Sequence, residues 1–462
     1  MNAYMGHVSI KASAIDWLQQ LLRNRLHPQI RLSLNNQNLS WELNCPGTDG
    51  CIRIPWIPSL YRLGPQPDLP CVHWSLTSEG FSALDLQLPA PGLLNITHPM
   101  VQVTGDGYQL GYDIIGLTYW MLARCEEVDP PEEWLNIYGN IPAIASHAYQ
   151  HGYLERPIVD EWLSVLRHLI QLAWPRFPLQ HHQFRIVVSH DVDTPSAYYF
   201  RRKRIVLRIM AAQLLKQRDV AGALLAPAMR FFRRCELHPA DPYNTFEWLM
   251  DQSDSAGIQS AFYFMCGRTN PQRDADYELD HPAIRTLMRR IHQRGHEIGL
   301  HPSYDTCENP GAIASEAFRL QRIAAEEGIH QPQWGGRMHF LRWQWPITAH
   351  GWEQAGFHYD STLGYADHPG FRCGTCHPYP MFDPVNQLQL QLIQRPLIVM
   401  ECSIIADEFL GLGYGPTATA LALTLRDRCS AVGGQFSLLW HNSHLTTEED
   451  RELYRLLLCV NR

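Results

Sequence analysis

From Phe184 onward the chain alternates short apolar strands with amphipathic helices, and this pattern restricts its second half to a largely parallel sheet. Phe184–Ser189 (FRIVVS) and Ala261–Met265 (AFYFM) are apolar runs of strand length. Asn244 is placed to cap a helix from Thr245 to about Ala256, and Gly257 ends it. Pro282 opens a helix that closes at Gly295; a strand follows at Glu297–Leu300 and a long helix at about Gly311–Glu327. Later come a helix at Trp352–Gly356, strands near Phe357–Tyr359 and Leu397–Cys402, a helix near Pro416–Cys429 and a strand at Gln435–Trp440. The expected class is α/β, with the sheet open or closed into a barrel. Reactive residues in such folds collect at the carboxyl ends of strands.

Residues 1 to about 180 have another texture. They are rich in proline, with an alternating stretch at Ile30–Ser33, a turn-rich Gly64–Pro70 and helical patterns at Asp113–Cys125 and from Pro157 to about Ala173. After Trp174 the sequence PRFPLQHH breaks periodicity and reads as a linker. A chain of 462 residues suits two or three domains, and two are expected: a smaller N-terminal α+β domain over 1–180 and a second over 181–462. A hydrophobic content of 45% with 18% charged residues excludes a disordered or fibrous chain. The net charge of −8 is modest and the two signs are mixed, so no nucleic-acid partner is expected.

The first residues lack a basic stretch followed by an apolar run, and no segment approaches the ~18 apolar residues of a membrane span. A cytoplasmic location is therefore expected, with the twelve cysteines mostly reduced. Phe200–Arg234 stands apart. Arg201, Arg202, Lys203, Arg204 and further basic residues are interleaved with Ile205, Leu207, Leu214 and Leu215, against the single acid Asp219. The segment reads either as a helical excursion in solvent or as a peripheral contact with an anionic membrane surface.

Three strand ends carry chemistry. Ser189-His190-Asp191-Val192-Asp193 offers two carboxylates, one able to hold a metal while the other takes a proton from water. Taken alone, the pair reads more readily as a turn with capping aspartates. In Gly295-His296-Glu297-Ile298-Gly299-Leu300-His301-Pro302-Ser303-Tyr304-Asp305, His301 falls at the strand end. If Pro302 starts a helical turn, Asp305 faces the same way as His301, and the two could share a divalent ion. In Leu438-Leu439-Trp440-His441-Asn442-Ser443, His441 stands where an apolar strand stops.

In order and spacing, over about residues 184–445, these segments resemble the polysaccharide deacetylases (NodB homology, carbohydrate esterase family 4). Gly336-Arg337-Met338-His339-Phe340 resembles that family's arginine motif. Tyr359–Asp367 and Phe371–Thr375 resemble a bacterial branch found among surface-polysaccharide genes. Ala123–Glu127 and Arg156–Glu161 resemble the N-terminal domain of poorly known function in that branch. The resemblance implies a distorted (β/α) barrel of deacetylase type and hydrolysis of an N-acetyl or related acyl group on a carbohydrate. It implies Asp191 as general base, Arg337 as the residue orienting it, Asp193 and His301 as metal ligands, and His441 as general acid. The implied cofactor is a divalent ion, with zinc first and iron, manganese or cobalt as alternatives.

One position departs from the family pattern. Asp305 stands where the family has a second histidine, so the site is expected as Asp193-His301-Asp305, or with His296 or water completing the shell. Arg372, Tyr304 and Trp440 are candidate substrate contacts; Arg372 could equally pair with Asp360 or Asp367. Cys373-Gly374-Thr375-Cys376 is half a zinc site at most, or two loop thiols. A chain lacking an export signal would act on a precursor, such as a nucleotide- or lipid-linked sugar. Rival readings are a catalytically silent carbohydrate-binding or scaffold protein of the same fold, and an amidase acting on a non-sugar substrate.

Overall fold

The structure, a computed structural model, describes residues 10–81, 84–212, 215, 226–227, 229–230 and 235–459. Most of the basic segment beyond Ala212 lies outside the described residues. The N-terminal part contains strands β1 (Arg31–Asn35), β2 (Ser40–Asn44), β3 (Cys51–Pro55), β4 (Cys71–Ser75), β5 (Gln87–Pro91), β6 (Val101–Thr104) and β7 (Gly107–Leu110). Five of them form a sheet in the order β1-β2-β3-β7-β6, and β4 pairs with β5 separately. The expected helices are present at Ile114–Leu122 and Ile158–Ala173. The second of these buries Ile158, Trp162, Leu166 and Ile170, one residue per turn along one stripe.

The rest contributes β8 (Arg185–Val192), β9 (Ala261–Met265), β10 (Glu297–His301), β11 (Gly335–Gly336), β12 (Tyr359–Asp360), β13 (Tyr379–Asp383), β14 (Leu388–Gln394), β15 (Val399–Met400) and β16 (Gln435–Leu439). They form one sheet in the order β13-β14-β12-β11-β10-β9-β8-β16-β15. Every pairing is parallel except β13 with β14. Among the described residues no pairing joins β13 to β15, so of the two expected forms, open or closed into a barrel, closure is not shown. The strand–helix alternation did not anticipate the β13–β14 hairpin. Its β14 strand buries only Leu390, Leu392 and Gln394, every second residue, as a strand covered on one face does. By contrast all five residues of β9 are buried, as suits a strand covered on both faces.

The helix Ala12–Arg25 lies against this hairpin. Trp17 stacks on Phe382 with ring centroids 4.7 Å apart, and its Nε1 donates to the Pro380 carbonyl at 2.8 Å. One apolar cluster, from Ala14 to Leu458, runs across the boundary expected near residue 180. No described helix is long and apolar enough to cross a membrane. Gly336 sets how closely two central strands approach. A side chain there would collide with the Leu300 carbonyl, so only glycine lets β11 lie this close to β10 and brings Arg337 under the sheet's rim.

Two buried histidines make the fold acid-sensitive. His147 is satisfied as a neutral ring, with Nε2 3.0 Å from the Leu69 carbonyl and Nδ1 2.5 Å from the Tyr153 hydroxyl. Burial pushes the pKa of His147, and likewise that of His377, down to about 4 from an ordinary 6.5. A depressed folded pKa means the unfolded chain binds more protons, so this stability is present above 6.5 and is lost as pH falls through 4. Each ring contributes a slope approaching about 1.4 kcal/mol per pH unit inside that window. The urea midpoint should fall steadily between these pH values, and His147→Gln should flatten the fall. A midpoint constant over the whole window contradicts this account.

Candidate metal centre

The centre of the ladder, from β11 to β15, brings its carboxyl ends to one rim. There β8 supplies Asp191 and, just beyond its end, Asp193; β10 ends on His301; Arg337 and His339 follow β11; Glu401 follows β15 and His441 follows β16.

His301 donates from Nδ1 to the Arg337 carbonyl at 2.7 Å, and His339 donates from Nε2 to the Arg273 carbonyl at 3.0 Å. A carbonyl can only accept, so each ring carries its proton on the outer nitrogen and turns a lone pair inward. The inward atoms, His301 Nε2 and His339 Nδ1, are 2.9 Å apart. Asp193 Oδ1 lies 3.1 Å from the first and 3.6 Å from the second, is buried, and has no hydrogen-bond donor. Three acceptors facing one another repel unless a cation or a proton sits between them. Two imidazoles and a carboxylate are a fitting donor set for a divalent transition ion. Burial alone would raise the Asp193 pKa, but His339, His301 and His441 outweigh it and hold the carboxyl far below its usual range. Burial opposes charge on His301, yet Asp191 and Asp193 lift its pKa, whereas for His339 burial prevails and lowers it.

Asp191 is buried on one flank of this group, with Oδ2 4.0 Å from His301 Nε2. Its Oδ1 accepts from Arg337 Nη1 at 2.9 Å. Arg337 is itself immobilised by Ser189 Oγ at 2.9 Å and by the carbonyl and hydroxyl of Ser361 at 2.8 and 3.0 Å. On the other flank His441 Nε2 lies 3.6 Å from Asp193 Oδ2, and His441 Nδ1 contacts Glu401 Oε1 at 2.6 Å. The same buried carboxylate takes the His441 backbone N–H and His444 Nδ1, each at 2.9 Å. Burial would lower the His441 pKa, but Glu401 outweighs it and raises it well above the ordinary value. Asp191, Asp193, His301, His339, His441 and His444 line a cavity of about 250 Å³, which Tyr138 and Asn140 of the N-terminal part also line.

Of the expected ligands, Asp193 and His301 meet and Asp305 does not join them. Ser303 stays extended (ψ 161°) and only a short 3-10 turn, Tyr304–Thr306, follows, so positions 301 and 305 are not one α-turn apart. Asp305 is about half exposed and leans toward Arg342 at 3.6 Å. His296 precedes β10, at the far end of that strand from His301, and cannot complete the shell. The three expected substrate contacts are also corrected. Arg372 is buried in a two-pronged ion pair with Glu127, at 2.9 and 2.8 Å. Trp440 is fully buried, with Nε1 on the His444 carbonyl at 2.9 Å. Tyr304 is buried between the Arg273 and Arg342 guanidiniums, 4.7 and 4.4 Å from its ring centre. None of the three lines the cavity. Cys373 and Cys376 are both buried thiols, the second beside Asp160 and His377.

Sequence reasoning missed His339 and Glu401. His339 lies two residues beyond Arg337, inside a motif read only for its arginine. Glu401 is the lone carboxylate within the expected strand Leu397–Cys402.

Residues 63–175 match a family of unknown function (DUF7033). No curated protein matches the chain. Among solved structures, the "putative polysaccharide deacetylase from Mycobacterium smegmatis" is 17% identical, covering 61% of this chain and 84% of its own, with a TM-score of 0.38. A Puue allantoinase is 12% identical, covering 62% and 85%, with a TM-score of 0.36. Likeness of this degree leaves the chemistry to be read from the side chains.

His339→Ala should cost more metal affinity than the ~10–100-fold typical of removing an outer-shell partner, whereas Asp305→Ala should bind metal like the parent. Elemental analysis and competition with a chelator measure both. Metal lost from Asp305→Ala but kept by His339→Ala would reverse the ligand assignment.

Proposed function

We propose that this chain is a metal-dependent hydrolase that removes an N-acetyl or related acyl group from a carbohydrate, a precursor of a bacterial surface polysaccharide. One observation carries the reading: an orienting ion pair and a carboxylate-backed imidazole flank the same three inward-facing acceptors. Asp193, His301 and His339 would hold the ion, zinc foremost, with iron, manganese or cobalt as alternatives. When bound, such an ion lowers the pKa of water and polarises a carbonyl oxygen.

The chain's own groups divide the proton work. Arg337 engages Oδ1 of Asp191 and leaves Oδ2 toward the site, where it accepts the proton of the attacking water. His441 donates from Nδ1 to Glu401, whose charge favours the imidazolium form, so a second N–H at Nε2 faces the cavity and delivers its proton to the departing amine nitrogen. The C–N bond breaks as that proton arrives, and the products are a carboxylic acid and a free amine. The motive for a catalytically silent scaffold is the lack of a second histidine at position 305, and in this reading His339 would stand in for it.

Asp191→Asn should lower turnover on an N-acetylated sugar by at least about 100-fold while the protein keeps its metal. Glu401→Gln should also slow release, with metal content again intact. Acetate and free amine are followed together with elemental analysis. Undiminished turnover in Asp191→Asn sinks the assignment of the base, and release of an acid from non-sugar amides alone would make the chain an amidase of another class.

A further inference from the structure

A second cavity of about 310 Å³ adjoins the first, and Asp193, Thr194, His339 and Phe340 line both. Its walls carry Arg201 and Arg273. The buried arginines Arg124 and Arg372 are matched by Glu127, Arg156 by Glu161, and Arg337 by Asp191, whereas Arg201 and Arg273 are each half-buried. Arg201 and Arg273 have no carboxylate partner among the described residues. The Arg201 Nε is buried without any acceptor. The Arg273 guanidinium is packed among the rings of Tyr138, Tyr304 and Phe340, 4.8, 4.7 and 5.6 Å from their centres. Packing of that kind fixes the plane of the group and leaves its N–H edge free to fork onto an oxyanion.

The cavity's other acids are already engaged. Asp276 pairs with Arg268 at 2.9 Å, and Asp274 accepts the backbone N–H groups of Asn270 and Tyr304 at 2.6 and 2.7 Å. Outside the cavity the helix Lys203–Ala212 begins two residues after Arg201. Arg202, Lys203, Arg204 and Arg208 on this stretch are all exposed. A run of one sign at the mouth of a cavity draws in the opposite charge.

We propose that this second cavity binds a phosphate or diphosphate carried by the same sugar whose acyl group is hydrolysed at the metal centre. The proposal rests on the hydrolase reading, since the two cavities share a wall. Arg273, preorganised by Tyr138 from the N-terminal part, forks onto the phosphoryl oxygens, and Arg201 closes over them from the other side of the chain. The substrate class is thus an N-acylated sugar phosphate or diphosphate ester, soluble or lipid-borne.

The test uses the full chain stripped of metal, so that phosphoryl oxygens have no ion to bind, titrated with inorganic pyrophosphate at fixed salt in a calorimeter. The parent should bind. Arg201→Gln and Arg273→Gln should each weaken binding at least about tenfold, which corresponds to about 1.4 kcal/mol. Arg322→Gln, on a distant exposed helix, should leave it unchanged and so exclude a bulk charge effect. Absence of binding by the parent, or parent-like affinity in both cavity variants, overturns the proposal. If Arg273→Gln fails to fold, Arg201→Gln decides alone. Competition by uridine diphosphate assigns a soluble nucleotide-linked source. Flotation with phosphatidylcholine vesicles carrying a polyprenyl phosphate, lost in Arg201→Gln, assigns a lipid-linked one. Failure of both overturns the substrate class. Metal content of the unstripped protein separates the two readings. Metal with no pyrophosphate binding removes only the anion site, and pyrophosphate binding in a chain that takes up no metal removes only the hydrolase.

Discussion

The arrangement at the rim depends on two carbonyl groups. Those of Arg337 and Arg273 accept the outer N–H of His301 and His339, and in doing so they dictate which nitrogen of each ring is bare. With the tautomers fixed, the bare nitrogens face one another at 2.9 Å beside a carboxylate oxygen that nothing donates to. Such a cluster is unfavourable by itself and becomes favourable when positive charge occupies its centre. The backbone around residues 273 and 337 therefore acts as the outer shell of the site. Gly336 is what permits one of those two carbonyls to be where it is.

The N-terminal part takes a direct share in this construction. Phe340 and Leu341, immediately after His339, adopt left-handed backbone angles (φ 58° and 53°), which non-glycine residues adopt only at a cost in energy. Asn140 donates to the Phe340 carbonyl at 2.7 Å, and the Tyr138 ring lies 5.0 Å from that of Phe340. These contacts offset the strain and hold the turn that follows His339. Farther out, Glu127 is shared by Arg124 and Arg372, and Asp367 accepts the Ala143 backbone N–H at 3.1 Å. Burial works to raise the Glu127 pKa, but the two guanidiniums overcome it and hold it at about 2. Removing one arginine would leave a buried charge short of a partner, which costs more than the pair contributes. Such a junction favours a fixed relation between the two parts.

Local signals in the sequence conveyed a good part of this. The helix Pro282–Gln293 and the strands β9, β10 and β16 lie close to where apolar runs, Pro and Gly place them, because burial on both faces leaves a plain hydrophobic record. Asp191, Asp193, His301 and His441 are legible for a related reason: each stands where such a run stops. The third member of the cluster was not legible. Telling His339 from Asp305 needed the backbone after Pro302, and an extended Ser303 leaves no periodic trace. The aromatic and cationic candidates Tyr304, Trp440 and Arg372 failed in another way. Their residue types suit a substrate, but what they touch depends on partners 166, 4 and 245 positions away in the chain. The two-residue strands β11, β12 and β15 carry too short a pattern to report closure.

Asp191 and His441 occupy opposite flanks of one cluster, and each is governed by a single buried partner of the opposite sign. Arg337 reaches Asp191 from β11, and Glu401 reaches His441 from β15. Both partners sit at strand ends and are fixed by backbone or hydroxyl contacts, so neither depends on a mobile side chain for its position. Asp191 and His441 thus keep their separation on either side of the cluster, and a molecule entering the cavity meets a fixed arrangement. That need falls on the cavity walls, where Tyr138, Asn140 and Phe340 meet. The sheet supplies the clustered carboxylates and imidazoles, and the N-terminal part shapes the space in front of them.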